Sequence, residues 1–367
     1  MDRKLSINLG NLLLSISELI DLANPAISQH QMRTAFISLE LARAAGLGKN
    51  AIEDVFAAAL LHDIGAISVE EKIKIHNFDE VNIDAHCNKG ETLFLRFPFF
   101  TGVARIVKYH HQPWREWDAS GHSPDEPLVL SAQILHLADF LERCIDRSKY
   151  ILHQTSAITE RVDAFMKTHG HPRLYRDFLA VSGREEFWLD LVSPRLYSIL
   201  LSDSPYVNRT LQLDDITAVS ELFRDIIDFK SRFTATHSIG VASCAEILSE
   251  LFGLTELEIR LMRVAGNLHD IGKMVIPNAI LEKPDKLTKE EMEIIRCHTY
   301  YSYYVIQTIG GLQQIAEWAA YHHERFDGSG YPFHCQASEL SIGSRIMAVS
   351  DIFTAIAEDR PYRKGMN

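Results

Sequence analysis

The stretch His269-Asp270-Ile271-Gly272-Lys273, followed by His298, His322-His323-Glu324-Arg325 and Asp327-Gly328-Ser329-Gly330-Tyr331-Pro332, decides the fold. Its histidines and carboxylates recur at separations that an earlier part of the chain repeats. His30 precedes His62 by 32 positions, as His237 precedes His269; His86 precedes His110 by 24, as His298 precedes His322; His111 precedes Asp139 by 28, as His323 precedes Asp351. Only the segment after the His-Asp pair differs, with 24 positions from His62 to His86 against 29 from His269 to His298. Three matched separations between the same residue types indicate a duplicated domain.

Working outward, the segments between these residues read as helices. Leu5, Leu9, Leu12, Leu13, Ile16, Leu19 and Ile20 recur at three-to-four spacing over 5–23, and Asn24-Pro25 stops the run. Further helices are expected over about 30–46, 50–64, 101–111, from 127 onward, and through 145–202; Ile216 to Phe229 and Leu257 to Leu268 repeat the pattern. No sustained alternation bounded by hairpin turns marks a strand. The fold class expected is all-α, with two tandem domains at 1–205 and 206–367 joined near Ser202-Asp203-Ser204-Pro205.

Bulk properties narrow the function. The 367 residues suit two domains, and 46% hydrophobic with 23% charged residues is ordinary for a globular chain. A formal net charge of −12 argues against long nucleic acid as a partner, while a small anion remains compatible once bound cations invert the local field. Five scattered cysteines form no CxxC pair, and neither a membrane span nor a secretory leader is evident. A cytoplasmic location without membrane attachment is expected.

Neighbours on a helix point about 100° apart, so His269 and Asp270 reach one cluster only where a helix ends, and Gly272 fits such an end. A lone histidine there would be a buried core residue. Together His237, His269, Asp270, His298, His322, His323 and Asp351 read instead as ligands for two divalent metals, with Asp270 bridging. His237 could merely follow an N-cap, but its spacing matches that of His30. Lys273 lies within a turn of the pair and reads as a charge clamp on a scissile phosphate, against the default of a solvated lysine. The 327–332 loop would present Tyr331 to a base, and Arg360 and Arg363 could fork phosphate oxygens or a guanine edge. The first copy keeps His30, His62, Asp63, His86, His110, His111 and Asp139, a candidate second metal site, but has Ala66 where the second has Lys273 and lacks the glycine-rich loop.

These motifs, with Ile276-Pro277, Leu281-Glu282-Lys283-Pro284 and Arg360-Pro361-Tyr362-Arg363, resemble the HD-GYP family of cyclic dinucleotide phosphodiesterases over about 212–367. The resemblance implies an HD-GYP domain with a metal centre holding iron or manganese, with nickel, magnesium or zinc as other options. It implies hydrolysis of cyclic di-GMP or 3′3′-cyclic GMP-AMP to a linear dinucleotide, with Asp270 and Lys273 in catalysis and Lys273, Tyr331, Arg360 and Arg363 on the substrate. Phe233 stands where members with a third metal carry glutamate, so two metals are expected. Thr354 stands where many members carry aspartate, and a further helix or two beyond Asn367 would be usual. The first copy resembles the HD domain more loosely and reads as a degenerate module for sensing or for forming a homodimer. Two other functions fit the residues: a cyclic dinucleotide receptor that does not cut, and a general HD nucleotide phosphohydrolase.

Overall fold

The computed structural model describes residues 7–22, 27–66, 69–77, 83–230 and 236–358. Arg360, Arg363 and Phe233, singled out above, lie outside the described residues. The regular elements of the described chain are helices apart from the strands Ile7–Asn8 and Thr210–Leu211, which pair antiparallel with Ile7 opposite Leu211, and an isolated bridge joins Asp327 to Gln336. None of its helices is long and apolar enough to cross a membrane.

Two compact units divide the chain, and the division differs from the one expected. One unit is Pro25–Arg209; the other joins Met1–Asn24 to Thr210–Asn367. The first helix, Leu9–Leu22, therefore belongs with the rear of the chain and not with the front domain. Its apolar stripe (Leu12, Leu13, Ile16, Leu19 and Ile20) is buried in the rear unit, against the helix Lys289–Ile309 and the turn Ile271–Val275. The Asn11 amide donates to the Thr308 and Ile309 carbonyls at 2.8 and 2.9 Å, satisfying carbonyls that the end of that helix leaves open. Amphipathic periodicity predicted the helix, but it carries no information on which core the stripe would join.

In the rear unit the helices His237–Leu251 and Glu256–Leu268 pack closely, and a side chain at Gly266 would collide with Ala242. Thr255 and Glu258 close a capping box at the second helix, each satisfying the other's backbone N–H, and Thr288 with Glu291 do the same for Lys289–Ile309. Gly310, at φ 79°, ends that long helix in a conformation costly for any side chain. Gln313–Ala320 follows, and Ile342–Ala357 lies against His237–Leu251, which brings Asp351 to His237.

The front unit repeats this order. His30–Ala44, Lys49–Leu61, Ile83–Leu95, Thr101–Tyr109 and Pro127–Arg143 carry or lead into its histidines and Asp139. Val69–His76, Trp114–Ala119, Thr155–Thr168, Leu174–Ser182, Glu185–Leu191 and Leu196–Asp203 also belong to it, with Trp188, Phe187 and Phe178 in its core.

Candidate metal centre

Both His-Asp pairs sit where a helix stops. Glu256–Leu268 gives way to a tight turn over Ile271–Val275, and Lys49–Leu61 gives way to one over His62–Gly65. The change of winding turns histidine and aspartate toward one centre. The glycine after them has a different reason from the helix ending inferred above. Gly272 is not among the positive-φ residues; its Cα instead presses on the next ligand helix, so that a side chain would strike the His298 carbonyl. Gly65 meets the His86 carbonyl in the same way. Ser302 locks the rear contact, donating to the His269 carbonyl at 2.8 Å and accepting from Gly272 N–H at 3.0 Å.

Around Asp270 the rear donors converge. His269 Nε2 is 3.2 Å from Asp270 Oδ2, His298 Nε2 is 3.4 Å from Oδ1, and His322 Nε2 is 4.0 Å from Oδ1. His298 and His322 bring their Nε2 atoms to 3.4 Å, and His237 Nε2 lies 3.0 Å from Asp351 Oδ1. Two groups of donors result, each within 4.8 Å internally: His237 with His269 and Asp351, and His298 with His322 and His323. His323 is half-buried, whereas the other six are buried.

The rings are set for coordination through Nε2. His269, His298 and His322 each donate Nδ1–H to the carbonyl three residues earlier, Gly266, Ile295 and Ala319, at 2.7, 2.7 and 2.6 Å. That bond fixes the tautomer and leaves the Nε2 lone pair facing the centre. His237 uses a carboxylate instead, with Nδ1 3.3 Å from Glu358 Oε2. Burial pushes His298, His322 and His323 down to about 3, so these rings are neutral at neutral pH. Burial would raise Asp270, but His269 and Lys273 outweigh it and hold the carboxyl well below its usual range. Asp351 is likewise lowered against the pull of burial, by its bond from His237 and by His322 and His269. Three neutral imidazoles with two ionised carboxylates are donors that divalent transition metals take, while Asp270 and Asp351 raise His269 against the pull of burial.

Lys273 is half-buried, with Nζ 2.5 Å from Asp270 Oδ2. Tyr331 reaches the site from the glycine-rich loop, its ring 4.9 Å from that of His323, and the Arg296 guanidinium lies over it at 5.2 Å. Gly330 has no room for a side chain against Glu324 and Arg325, and Gly328 sits at φ 72°. Buried Glu324 holds the loop by accepting from the N–H groups of Phe333, His334 and Cys335.

The front donors also converge. His30 Nε2 is 3.5 Å from both Asp63 Oδ2 and Asp139 Oδ1, and His86 Nε2 is 3.4 Å from His110 Nε2. His62 and His110 donate Nδ1–H to the Ala59 and Val107 carbonyls, as in the rear. His111 packs on His110 at 4.0 Å between ring centres.

Sequence reasoning missed Glu142, Glu358, Arg296 and His76, and quoted Glu324 without giving it a task. Glu142 Oε2 takes the Nδ1–H of His30 at 2.6 Å, and His76 Nε2 lies 3.4 Å from the same oxygen. Glu142 follows Asp139 by three, where the rear chain has Thr354, so the repeat offers no matched residue to mark it. In the rear that carboxylate comes one turn later, from Glu358.

An HD domain family matches residues 221–367, and another HD domain family matches residues 27–144. The 3′3′-cGAMP-specific phosphodiesterase 1 of Vibrio cholerae is 28% identical over 99% of this chain and 86% of its own length. The 3′3′-cGAMP-specific phosphodiesterase 3 of that organism is 27% identical over 77% of this chain and 61% of its own. A cyclic di-GMP phosphodiesterase of Thermotoga maritima is 37% identical over 41% of each chain. The crystal structure of a cyclic GMP-AMP-specific phosphodiesterase of V. cholerae shares the fold, with a TM-score of 0.67 over 98% of this chain and 91% of that one, at 22% identity. This chain thus carries two HD domains, a front one and a rear one whose relatives are cyclic dinucleotide phosphodiesterases.

Proposed function

We propose that the rear domain hydrolyses a cyclic dinucleotide, 3′3′-cyclic GMP-AMP or cyclic di-GMP, to the linear dinucleotide. The observation that carries this reading is the pair of donor groups flanking Asp270 with Lys273 at its side. His237, His269 and Asp351 would hold one divalent ion, His298, His322 and His323 a second, and Asp270 would share an oxygen with each. Iron or manganese suits these nitrogen and oxygen donors best, with nickel, magnesium or zinc as substitutes. Bound there, the ions supply Lewis acidity and an activated water for in-line attack on phosphorus.

The chain's own residues supply the rest. Lys273 carries its ammonium beside the bridging carboxylate, where it would offset charge building on the phosphate and the departing ribose 3′-oxygen. Tyr331, fixed between His323 and Arg296, offers a ring face on which a base can stack. Cyclic GMP-AMP is favoured because the relative aligned along nearly the whole chain is named for it, while the cyclic di-GMP relative aligns over less than half.

The test is a panel of cyclic GMP-AMP, cyclic di-GMP and deoxynucleoside triphosphates, incubated with chain loaded anaerobically with iron or manganese and read by chromatography. Linear dinucleotide from either cyclic substrate supports the reading. Binding without cleavage would make the protein a receptor, and cleavage confined to the triphosphates would make it a general nucleotide phosphohydrolase.

A further inference from the structure

The front unit holds a donor that the rear unit lacks. Where the rear chain follows His298 with Thr299, the front chain follows His86 with Cys87. The Cys87 sulfur lies 3.7 Å from His86 Nε2 and 3.6 Å from His110 Nδ1, and His86 Nε2 lies 3.4 Å from His110 Nε2. All three side chains are buried, and their donor atoms fall within 4.8 Å of one another. Asp63 Oδ1 completes the group from 4.0 Å away; it is buried and has no hydrogen-bond partner.

These separations can be compared with coordination geometry. Two imidazole nitrogens about 2.0–2.1 Å from one zinc ion, at a tetrahedral angle, stand about 3.3 Å apart; a thiolate about 2.3 Å from the ion stands about 3.6 Å from each nitrogen. The nitrogen pair at 3.4 Å and the sulfur at 3.7 Å from His86 Nε2 match that arrangement. A simple thiol hydrogen bond to His110 is a poor alternative. His110 Nδ1 donates its own proton to the Val107 carbonyl at 2.6 Å and has no lone pair to offer. A buried carboxylate oxygen with nothing to accept from is a further cost that a cation would remove.

We propose that the front unit binds a thiophilic divalent ion, zinc or ferrous iron, through His86, Cys87, His110 and Asp63, in a site that does not cut phosphodiesters. Sulfur in the donor set selects these ions over manganese or magnesium. The lack of cutting follows from what surrounds the site: Ala66 stands in place of the lysine, and Gln112 to Asp118 stands in place of the glycine-rich loop. The proposal does not depend on what the rear domain hydrolyses.

Cobalt(II) is the probe. The full chain carrying Asp270→Ala and His298→Ala, which empties the rear site, is loaded with cobalt and examined by absorption and metal analysis. It should retain a full equivalent of cobalt and show a near-ultraviolet thiolate-to-cobalt charge-transfer band. Adding Cys87→Thr, the residue of the rear copy, should abolish that band with helix content unchanged, and adding His86→Ala instead should lower bound cobalt. If Cys87→Thr disturbs folding, Cys87→Ser gives the same reading. A rear-emptied chain that retains no cobalt, retains it without the band, or keeps the band after Cys87 is replaced overturns the proposal. Turnover by the unaltered chain reports separately on the rear domain.

Discussion

The front and rear ligand sets are built alike and differ in where each places its nearest cation. In the rear, Lys273 Nζ stands 2.5 Å from Asp270, the carboxylate flanked by both donor groups. In the front, Ala66 fills that position, and Arg143 Nη2 instead stands 2.8 Å from Asp139 Oδ2. The carboxylates that orient the first histidine differ as well. Glu142 reaches His30 from within the Asp139 helix, and its charge is met by Arg147 at 3.0 Å and Arg33 at 3.6 Å; Glu358 reaches His237 from the residue after the Asp351 helix. One scaffold therefore supports two arrangements of charge. In the rear the cation pairs with the aspartate that both donor groups flank, whereas in the front the cations pair with Asp139 and Glu142.

The comparison can be broken most directly at the two aspartates. Asp270→Ala should lower turnover of the cyclic dinucleotide by roughly 10³-fold or more and reduce bound metal, because it removes the group shared by both rear donor sets. Asp63→Ala should leave turnover nearly intact. Equal losses in parallel rate and metal assays would mean that the copies are not functionally distinct.

The cation itself comes next. Lys273→Ala should keep metal bound while turnover falls by roughly 10²–10³-fold, the scale of a lost donor to developing charge. Metal loss in that variant would contradict the separate role given to Lys273. Ala66→Lys in the front unit should create no activity, since the loop bearing Tyr331 has no counterpart there.

A smaller effect is expected at the orienting carboxylates. Glu358→Gln should weaken rear metal affinity by about 10–100-fold, as removal of an outer partner of a ligating histidine typically does. Adding Thr354→Glu, which restores the front spacing, should recover part of that loss in an equilibrium metal titration. No loss in the first variant would show that Glu358 does not position His237.

The smallest expected effect is on the pH dependence of metal-free stability. His298, His322 and His323 have folded values of about 3, below the unfolded value of about 6.5. On acidification the unfolded chain takes up protons first, so stability is lost as pH falls from about 6.5 toward 3. Hydrogen exchange in the helix Lys289–Ile309 of metal-stripped chain should therefore quicken between pH 7 and pH 5 after correction for intrinsic rates. His298→Gln should flatten that dependence.

The repeat and its helices were legible because duplicated spacing and three-to-four periodicity are properties of the chain alone. Leu268 as the last helical residue before His269 was legible too, since the His269-Asp270 pair was expected where a helix ends. The placement of Leu9–Leu22 was not, because an apolar stripe states that it must be covered without stating by what. Glu142 and Glu358 were hidden for a related reason: a glutamate near a helix end is ordinary in sequence, and only the distance to a ring nitrogen gives it a task. Gly272 was read as a helix terminator, whereas the approach of the His298 carbonyl is what excludes a side chain there. That contact joins residues far apart in the chain and leaves no local pattern.

We propose that seven side chains of the rear unit surround a pair of cations. Anomalous diffraction from crystals of the full chain loaded with manganese tests it most directly. The account predicts two peaks on either side of Asp270, one beside His237, His269 and Asp351 and the other beside His298, His322 and His323. A fully loaded crystal with no peak among these residues would contradict it.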